Sequence, residues 1–172
     1  MTRHSEVAYV LVRVDAGGEP LFLLRFHEKW GDWSLVGGHV EQYDEGDWAR
    51  TATREAEEEL APLKSGKDFV LLPMLRQPTT WGPVKSRSAG GAETKYTAQF
   101  FALRLLGDPA RSLKRLPAED FLLVPQSKLE RQPRLAAVAA TIDVARRKLP
   151  AGLKSVPPAS EQELSAALLA TL

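Results

Sequence analysis

The stretch GGHVEQYDEGDWARTATREAEEEL, residues 37–60, concentrates eight acidic side chains in 24 residues. Its glycine pair ends a short strand-like run, and Asp47 is suited to cap a helix because its carboxylate can accept hydrogen bonds from the next free amides. Small apolar residues then recur at helical spacing, namely Ala49, Ala52, Ala56 and Leu60. The stretch therefore predicts a strand end, a loop and a helix that stops before Pro62.

The acidic residues of this helix are not evenly distributed around it. A helix advances about 100° per residue, so Glu55, Glu58 and Glu59 share one face while Glu57 points away. Like charges one turn apart repel by a few tenths of a kcal/mol, and a divalent cation reverses that cost. Mg²⁺ takes oxygen ligands and keeps waters and substrate phosphates. The acidic run alone is more typical of a solvated helix face, but the glycine pair before it, Arg54 within it and the strands on both sides shift the prediction to a metal site.

The segments around the helix predict a mixed sheet. Strand-like runs rich in β-branched residues alternate with turn clusters, and the first two, residues 7–14 and 21–26, predict a hairpin. The order β-β-β-α-β-β-β-α indicates an α/β layered domain. The further expected elements are strands at 34–40, 69–76, 94–106 and 120–129, a Gly/Pro-rich loop at 77–93, and a helix at 133–149.

The chain of 172 residues is 44% hydrophobic, which suits one domain with a sizeable core. We expect residues 1–149 to form that domain and the proline-rich segment 150–160 to be a linker. Residues 161–172 predict a short C-terminal helix, since Ser160 and Glu163 have capping-box spacing. That helix is better suited to cover the domain than to bind a partner.

Composition excludes several classes of protein. Lys plus Arg is 23 and Asp plus Glu is 22, a net charge of +1, which argues against binding a nucleic acid polymer by bulk charge. The chain has no cysteine, and its three histidines lack zinc-site spacing. No apolar run approaches the roughly 20 residues of a membrane span, and the N-terminus is not typical of a signal peptide. We expect a cytoplasmic protein without membrane contact, for which a homodimer stays open.

The stretch resembles the Nudix box, whose consensus is Gly, five residues, Glu, seven residues, then Arg-Glu-aliphatic-x-Glu-Glu-x-Gly-aliphatic. REAEEEL, residues 54–60, fills the second half, and the Gly37-Gly38 pair with its preceding strand is similar to the start. The box covers residues 38–61, and the strand order extends the resemblance loosely over 5–148. This chain has two extra residues between Gly38 and Arg54, which we place in EQYDEGD, residues 41–47, and Ala61 stands where the family has glycine.

The resemblance implies a Nudix-like α/β/α sandwich with a mixed sheet. It implies hydrolysis of a diphosphate linkage in a nucleoside diphosphate derivative by metal-activated water, with Mg²⁺ or Mn²⁺ as cofactor. The implied metal ligands are the Gly37 carbonyl, Glu55, Glu58 and Glu59. The implied catalytic residues are Glu55 and Glu58, with Glu93 and Glu119 as candidate bases outside the box. Gly38 and Arg54 would shape the box, and Arg54 would hold the loop through Glu45 or Asp44.

Residues outside the box are candidates for binding a nucleotide-type substrate. Trp30 and Trp81 could stack a nucleobase, with packing as the alternative. Arg25, Lys85 and Arg87 could neutralise phosphate, with ordinary surface charge as the alternative. Two other functions stay open: a non-catalytic Nudix-like module that senses a nucleotide or binds a protein, and an isomerase of an allylic diphosphate, which would usually want a cysteine.

Overall fold

The structure is a computed structural model that describes residues 2–15, 17–29, 31–86, 88–127 and 154–155. Within these ranges strands predominate and helices are few. The strands are β1 (Arg3–Asp15), β2 (Leu21–His27), β3 (Asp32–Ser34), β4 (Val36–His39), β5 (Phe69–Pro73), β6 (Thr79–Lys85), β7 (Glu93–Leu105), β8 (Phe121–Pro125) and β9 (Lys154–Ser155). The helices are α1 (Trp48–Glu59), α2 (Pro109–Leu113) and a 3₁₀ turn at Gln42–Asp44.

Strand β1 is the centre of the sheet. It runs parallel to β7 from Arg3 to Val12, and antiparallel to β4 from Val7 to Val10. At its far end it forms the expected hairpin with β2. Because parallel and antiparallel pairs occur together, the sheet is mixed, and the predicted mixed α/β class is confirmed.

The buried side chains of β1 supply two hydrophobic clusters. Successive residues of a strand point to opposite faces, so Val10 lies in the cluster beneath α1 while Leu11 lies in the cluster on the other face. Both side chains are fully buried. The second cluster also contains Trp33. The two clusters lie on opposite faces of the sheet, and α1 covers the first of them.

Helix α1 packs on the first cluster through very small side chains. Ala52 and Ala56 are fully buried, and small residues let a helix backbone lie close to a sheet. The expected stripe is wrong at Ala49, which is exposed. Trp48, four residues before Ala52, packs against the cluster in its place. The buried face therefore follows a strict four-residue repeat that ends at Leu60.

The expected loop at 77–93 is wrong in its first half. Residues 79–85 form β6, which pairs antiparallel with β7 and is irregular between Trp81 and Val84. Gly82 and Pro83 cause that irregularity, and they are also why the sequence pattern does not indicate a strand, since proline is confined to sheet edges and bulges. A tight turn follows β6 at residues 88–91, and the hydrogen bond from Ser86 N to Ala92 O at 3.0 Å closes it.

Other expected elements fall wholly or partly outside the described residues. These are the helix at 133–149, which would give the second helical layer, the C-terminal helix at 161–172, and most of the linker 150–160. Within that linker, Lys154 and Ser155 pair with the end of β1. In the part of the chain that the structure describes, no helix has both the length and the apolarity to cross a membrane.

The close packing of α1 on the sheet gives a direct test. We expect Ala56→Leu to lower the free energy of unfolding by about 1–3 kcal/mol, because extra methylenes in a close-packed core force side chains and backbone apart. Ala49→Leu is the matched control on the exposed face and should stay within about 0.5 kcal/mol. Urea denaturation measures both, and equal losses in the two variants would contradict this packing.

Candidate active site

The acidic helix begins at a well-formed cap. Asp47 Oδ1 accepts from Ala49 N at 2.9 Å and from Arg50 N at 3.2 Å, as its position predicts. The loop before it is closed by a second acidic residue, since Asp44 Oδ2 accepts from Glu41 N at 3.0 Å. Two carboxylates thus fix both the loop after β4 and the start of α1.

Arg54 ties that loop to the helix and to β4. Its Nε and Nη2 donate to the two carboxylate oxygens of Asp44 at 3.3 and 3.0 Å, and Nη2 also donates to the His39 carbonyl at 3.2 Å. Asp44 is only 1% exposed and also accepts from the Thr51 hydroxyl at 2.9 Å. The hydrogen bond from Arg54 lowers the pKa of Asp44 to about 2, against the effect of burial. The pKa of Arg54 is raised in turn by Asp44.

Glu45 is not the partner of Arg54, which corrects the expectation for this residue. It pairs instead with Arg50 at 3.2 Å on the surface. Asp44 stands six residues after Gly38, as the loop glutamate does in the Nudix box, so the two extra residues lie between Asp44 and Arg54 and not before Asp44. A left-handed turn at Glu45 and Gly46, with φ of 56° and 74°, takes up the added length. The insertion therefore leaves the brace around Arg54 intact.

Two carboxylates of α1 meet β4 at its glycine pair. Glu59 Oε2 accepts from Gly37 N at 3.0 Å. The Glu55 carboxylate lies so close to Gly38 that a Cβ there would be 2.3 Å from Oε1. Gly37 has a φ of 143°, and a Cβ on it would be 2.2 Å from the Ala8 carbonyl oxygen of β1. Gly37 is therefore required by the backbone of the neighbouring strand, whereas a side chain at Gly38 would displace the Glu55 carboxylate.

Each of the three carboxylates on the predicted face contacts an arginine. Arg25 of β2 binds Glu59 Oε1 at 2.9 Å, and Arg54 binds Glu55 Oε1 at 2.7 Å and Glu58 Oε2 at 3.4 Å. Glu58 is 60% exposed, whereas burial raises the pKa of Glu59 to about 7 and also raises that of Glu55. The face thus carries its own counter-ions.

The remaining glutamate of the run has the separate place predicted for it. Glu57 lies off the shared face, where its carboxylate accepts from Ser65 N at 3.0 Å and from Lys64 Nζ at 3.4 Å. These contacts hold the segment after α1 against the helix end. Glu57 is therefore a suitable comparison residue for the other three.

The carboxylates of Glu55, Glu58 and Glu59 fit a hard cation by their chemistry, because such a cation prefers oxygen ligands. The space at Gly38 is filled by a carboxylate where any other residue would place carbon. In the described residues, however, no three His, Cys, Asp or Glu side chains converge closely enough to hold a metal ion. A cation at this face would have to replace guanidinium groups.

A cavity of about 150 Å³ opens beside the glycine pair, between β4 and β6. Trp81 stacks on Tyr96 there, with ring centroids 5.3 Å apart and planes 16° from parallel. Trp81 Nε1 is buried and has no hydrogen-bond partner among the described residues. Lys85 also lines the cavity. Two of the residues predicted to bind substrate, Trp81 and Lys85, thus lie next to Gly37 and Gly38.

One wall of this cavity is a chain of polar groups that the sequence analysis did not identify. The Tyr96 hydroxyl donates to Ser86 Oγ at 2.6 Å, and Ser86 Oγ lies 3.1 Å from Ser88 Oγ. Ser88 Oγ is 3.3 Å from His39 Nε2, and His39 Nδ1 is 2.8 Å from Ser5 Oγ. Burial lowers the pKa of His39, which favours the neutral ring. The one signal in the sequence was the hydroxyl pair in KSRS, residues 85–88.

The other predicted residues are dispersed. Glu93 is exposed and lies opposite Lys85 in the pairing of β6 with β7. Glu119 is exposed in the turn before β8, whose Phe121 pairs with Arg25. Arg25 itself contacts the acidic face. Trp30 and Arg87 lie outside the described residues.

Comparison with known proteins gives one family. A family model described as the NUDIX domain matches residues 3–136. No curated protein sequence matches the chain.

Solved structures share the fold at low identity. The crystal structure of C. elegans Ap4A hydrolase is 18% identical with a TM-score of 0.51, covering 86% of this chain and 96% of that one. NrtR of Shewanella oneidensis is 17% identical with a TM-score of 0.52, covering 96% of this chain and 77% of that one. A second NrtR structure, complexed with a 27mer DNA, is 18% identical with a TM-score of 0.50, covering 83% and 61%.

The Asp44 to Arg54 pair predicts a pH-dependent loss of stability. Because the pKa of folded Asp44 is depressed to about 2 from 3.8, its contribution is full above about pH 4 and is lost as the pH falls through 2. Asp44→Asn should lower the free energy of unfolding at pH 7 by about 3 kcal/mol, since one partner of a buried pair is removed. The difference from wild type should shrink below pH 4.

Glu45→Gln is the matched control for that experiment, because its exposed pair with Arg50 should contribute no more than about 1 kcal/mol. Urea denaturation from pH 2 to pH 7 measures all three proteins. A loss in Glu45→Gln as large as in Asp44→Asn would contradict the assignment of Arg54 to Asp44.

The glycine pair gives a second test at the site. Gly37→Ala should lower the melting temperature strongly, because its Cβ meets the backbone of β1 in a conformation unfavourable to alanine. Gly38→Ala should cost less stability, since the end of a flexible glutamate can move away. Differential scanning calorimetry ranks the two, and a larger loss for Gly38→Ala would be the opposite of this result.

Proposed function

The chain belongs to the Nudix family, and from that premise we propose that it hydrolyses a diphosphate linkage in a nucleoside diphosphate derivative with the aid of Mg²⁺ or Mn²⁺. The observation that carries the proposal is the arrangement of Glu55 and Glu59 against the glycine pair of β4. In it, two partly buried carboxylates of the box lie against the two glycines that line the cavity. This is the arrangement that a phosphate-bearing ligand and a hard cation would require.

In this proposal the acidic face binds the cation and the diphosphate, and the cavity beside β6 binds the nucleoside. Glu55, Glu58 and Glu59 would hold the cation, with the Gly37 carbonyl as a further candidate ligand. The cation, when bound, would supply Lewis acidity to the diphosphate. The proposal extends to proton transfer: Glu55, Glu93 and Glu119 are the candidate acceptors for the proton of the attacking water. Arg54 keeps the loop and helix in register through Asp44 and needs no contact with substrate.

The cavity beside β6 would take the nucleoside. Trp81 and Tyr96 offer stacked aromatic surface, and the hydroxyl chain from Tyr96 to His39 offers donors and acceptors along the wall that begins at Tyr96. Lys85 supplies positive charge at the rim for an anionic ligand. A flat ring joined to phosphate therefore matches the cavity and the acidic face together.

A second candidate function is a nucleotide-sensing or protein-binding module without catalysis. The observation in its favour is that all three carboxylates already contact arginines. A phosphate-release screen with Mg²⁺ or Mn²⁺ distinguishes the two functions. It covers dinucleoside polyphosphates, ADP-ribose, nucleotide sugars and nucleoside triphosphates. Silence on every compound with retained binding of one of them would establish the module.

The enzyme proposal predicts which glutamates matter. Glu58→Gln and Glu59→Gln should each lower metal-dependent turnover by orders of magnitude, because each removes a charged oxygen ligand, while circular dichroism and melting show a folded protein. Glu57→Gln is the matched control in the same run of three and should keep turnover near wild type, since Glu57 bonds to Lys64 and Ser65. Unchanged turnover in both Glu58→Gln and Glu59→Gln would contradict the proposed mechanism.

A further inference from the structure

The ion pair between Arg25 and Glu59 is the starting point. Arg25 reaches from β2 to the last turn of α1, where its Nη1 binds Glu59 Oε1 at 2.9 Å. The other oxygen of Glu59 accepts from Gly37 N at 3.0 Å. Both oxygens of this carboxylate therefore have a partner, and a cation that approaches Oε1 meets the positive charge of Arg25 there.

The Gly37 amide is the partner less able to leave. It belongs to β4, which is paired with the central strand β1 along Val7 to Val10. Arg25 is a long side chain whose only carboxylate contact in the described residues is Glu59. The Arg25 side chain is 32% exposed, whereas the Glu59 side chain is 12% exposed. Arg25 can thus turn into solvent without disturbing the sheet.

Arg54, the other arginine on the acidic face, cannot exchange in this way. It is bonded to both oxygens of Asp44 and to the His39 carbonyl, and the Tyr43 ring lies 5.2 Å from its guanidinium carbon. Removing it from the face would break the brace of the whole loop. The two arginines therefore differ: Arg54 is a fixed part of the site and Arg25 is replaceable.

We propose that Arg25 is an internal competitor for the divalent cation: it neutralises Glu59 and holds it in position in the cation-free protein, and it is displaced from Glu59 when the cation binds. The inference rests on the proposed function, since it takes Glu59 as a cation ligand. The displaced guanidinium stays within reach of the acidic face and is then available to the phosphate of a substrate. Arg25 is thus a positioning residue that sets cation affinity.

The test is a Mn²⁺ titration of the full chain, followed by the electron paramagnetic resonance signal of free Mn²⁺. Arg25→Met should bind Mn²⁺ about fivefold more tightly than wild type, because the competing ion pair is gone. The same variant should have a lower melting temperature than wild type in EDTA, since Glu59 loses its counter-ion. Added Mn²⁺ should raise the melting temperature of the variant more than that of wild type. Damage to the structure alone would weaken Mn²⁺ binding and would not strengthen it.

Arg50→Met is the matched control for the loss of one positive charge near the acidic helix. Arg50 is exposed and pairs with the exposed Glu45, so solvent and salt screen it from the site and its removal should change Mn²⁺ affinity by less than about twofold. Equal tightening in the two variants would overturn the proposal, because it would show a general field effect. Weaker or unchanged binding in Arg25→Met would overturn it as well.

Arg25→Gln and Glu59→Gln distinguish failure of this inference from failure of the proposed metal site. Arg25→Gln keeps a hydrogen-bond donor for Glu59 and should tighten Mn²⁺ binding in the same direction, so it serves if Arg25→Met does not fold. Wild type with no saturable Mn²⁺ site would overturn both this inference and the proposed metal site. A wild-type site that Glu59→Gln abolishes but that neither Arg25 variant tightens would overturn this inference alone.

Discussion

The hydrogen bonds of Arg54 are the constraint on which the rest of the site depends. One guanidinium joins the loop through Asp44, the strand β4 through the His39 carbonyl, and the helix itself through Glu55. Asp44 is buried, so removing Arg54 would leave an unpaired buried charge, and removing Asp44 would leave Arg54 without its main partner. With the loop, strand and helix fixed together, Glu55 and Glu59 are held against the glycine pair, which also lines the cavity beside β6.

The fold supplies the two surfaces that this brace joins. β1 contributes to both hydrophobic clusters and pairs with β4, so the glycine pair of β4 lies directly beside the central strand of the sheet. The buried alanines of α1 bring the helix close enough for its carboxylates to reach that strand. The same close packing has a cost, because burial disfavours the ionised form of Glu59. Arg25 offsets it in the cation-free protein, and the proposed cation would do so in the loaded one.

Much of this site follows from local spacing in the sequence. The shared face of Glu55, Glu58 and Glu59, the separate direction of Glu57 and the cap at Asp47 depend only on helical geometry, and the structure has all of them. The choice of Asp44 over Glu45 depends on a left-handed turn at Glu45, which local pattern does not indicate. The contact of Arg25 with Glu59 spans 34 positions, and the wall from Tyr96 to His39 joins distant strands. Such contacts arise from strand pairing and leave no periodic signal.

The central claim is that the acidic face is a cation site whose resident counter-ion gives way. Anomalous diffraction from crystals grown with Mn²⁺ tests it most directly. The account predicts a manganese peak in contact with Glu59 and at least one of Glu55 and Glu58, with the Arg25 guanidinium no longer on Glu59. A saturated crystal with no peak at this face, or with a peak elsewhere and Arg25 still bound to Glu59, would contradict it.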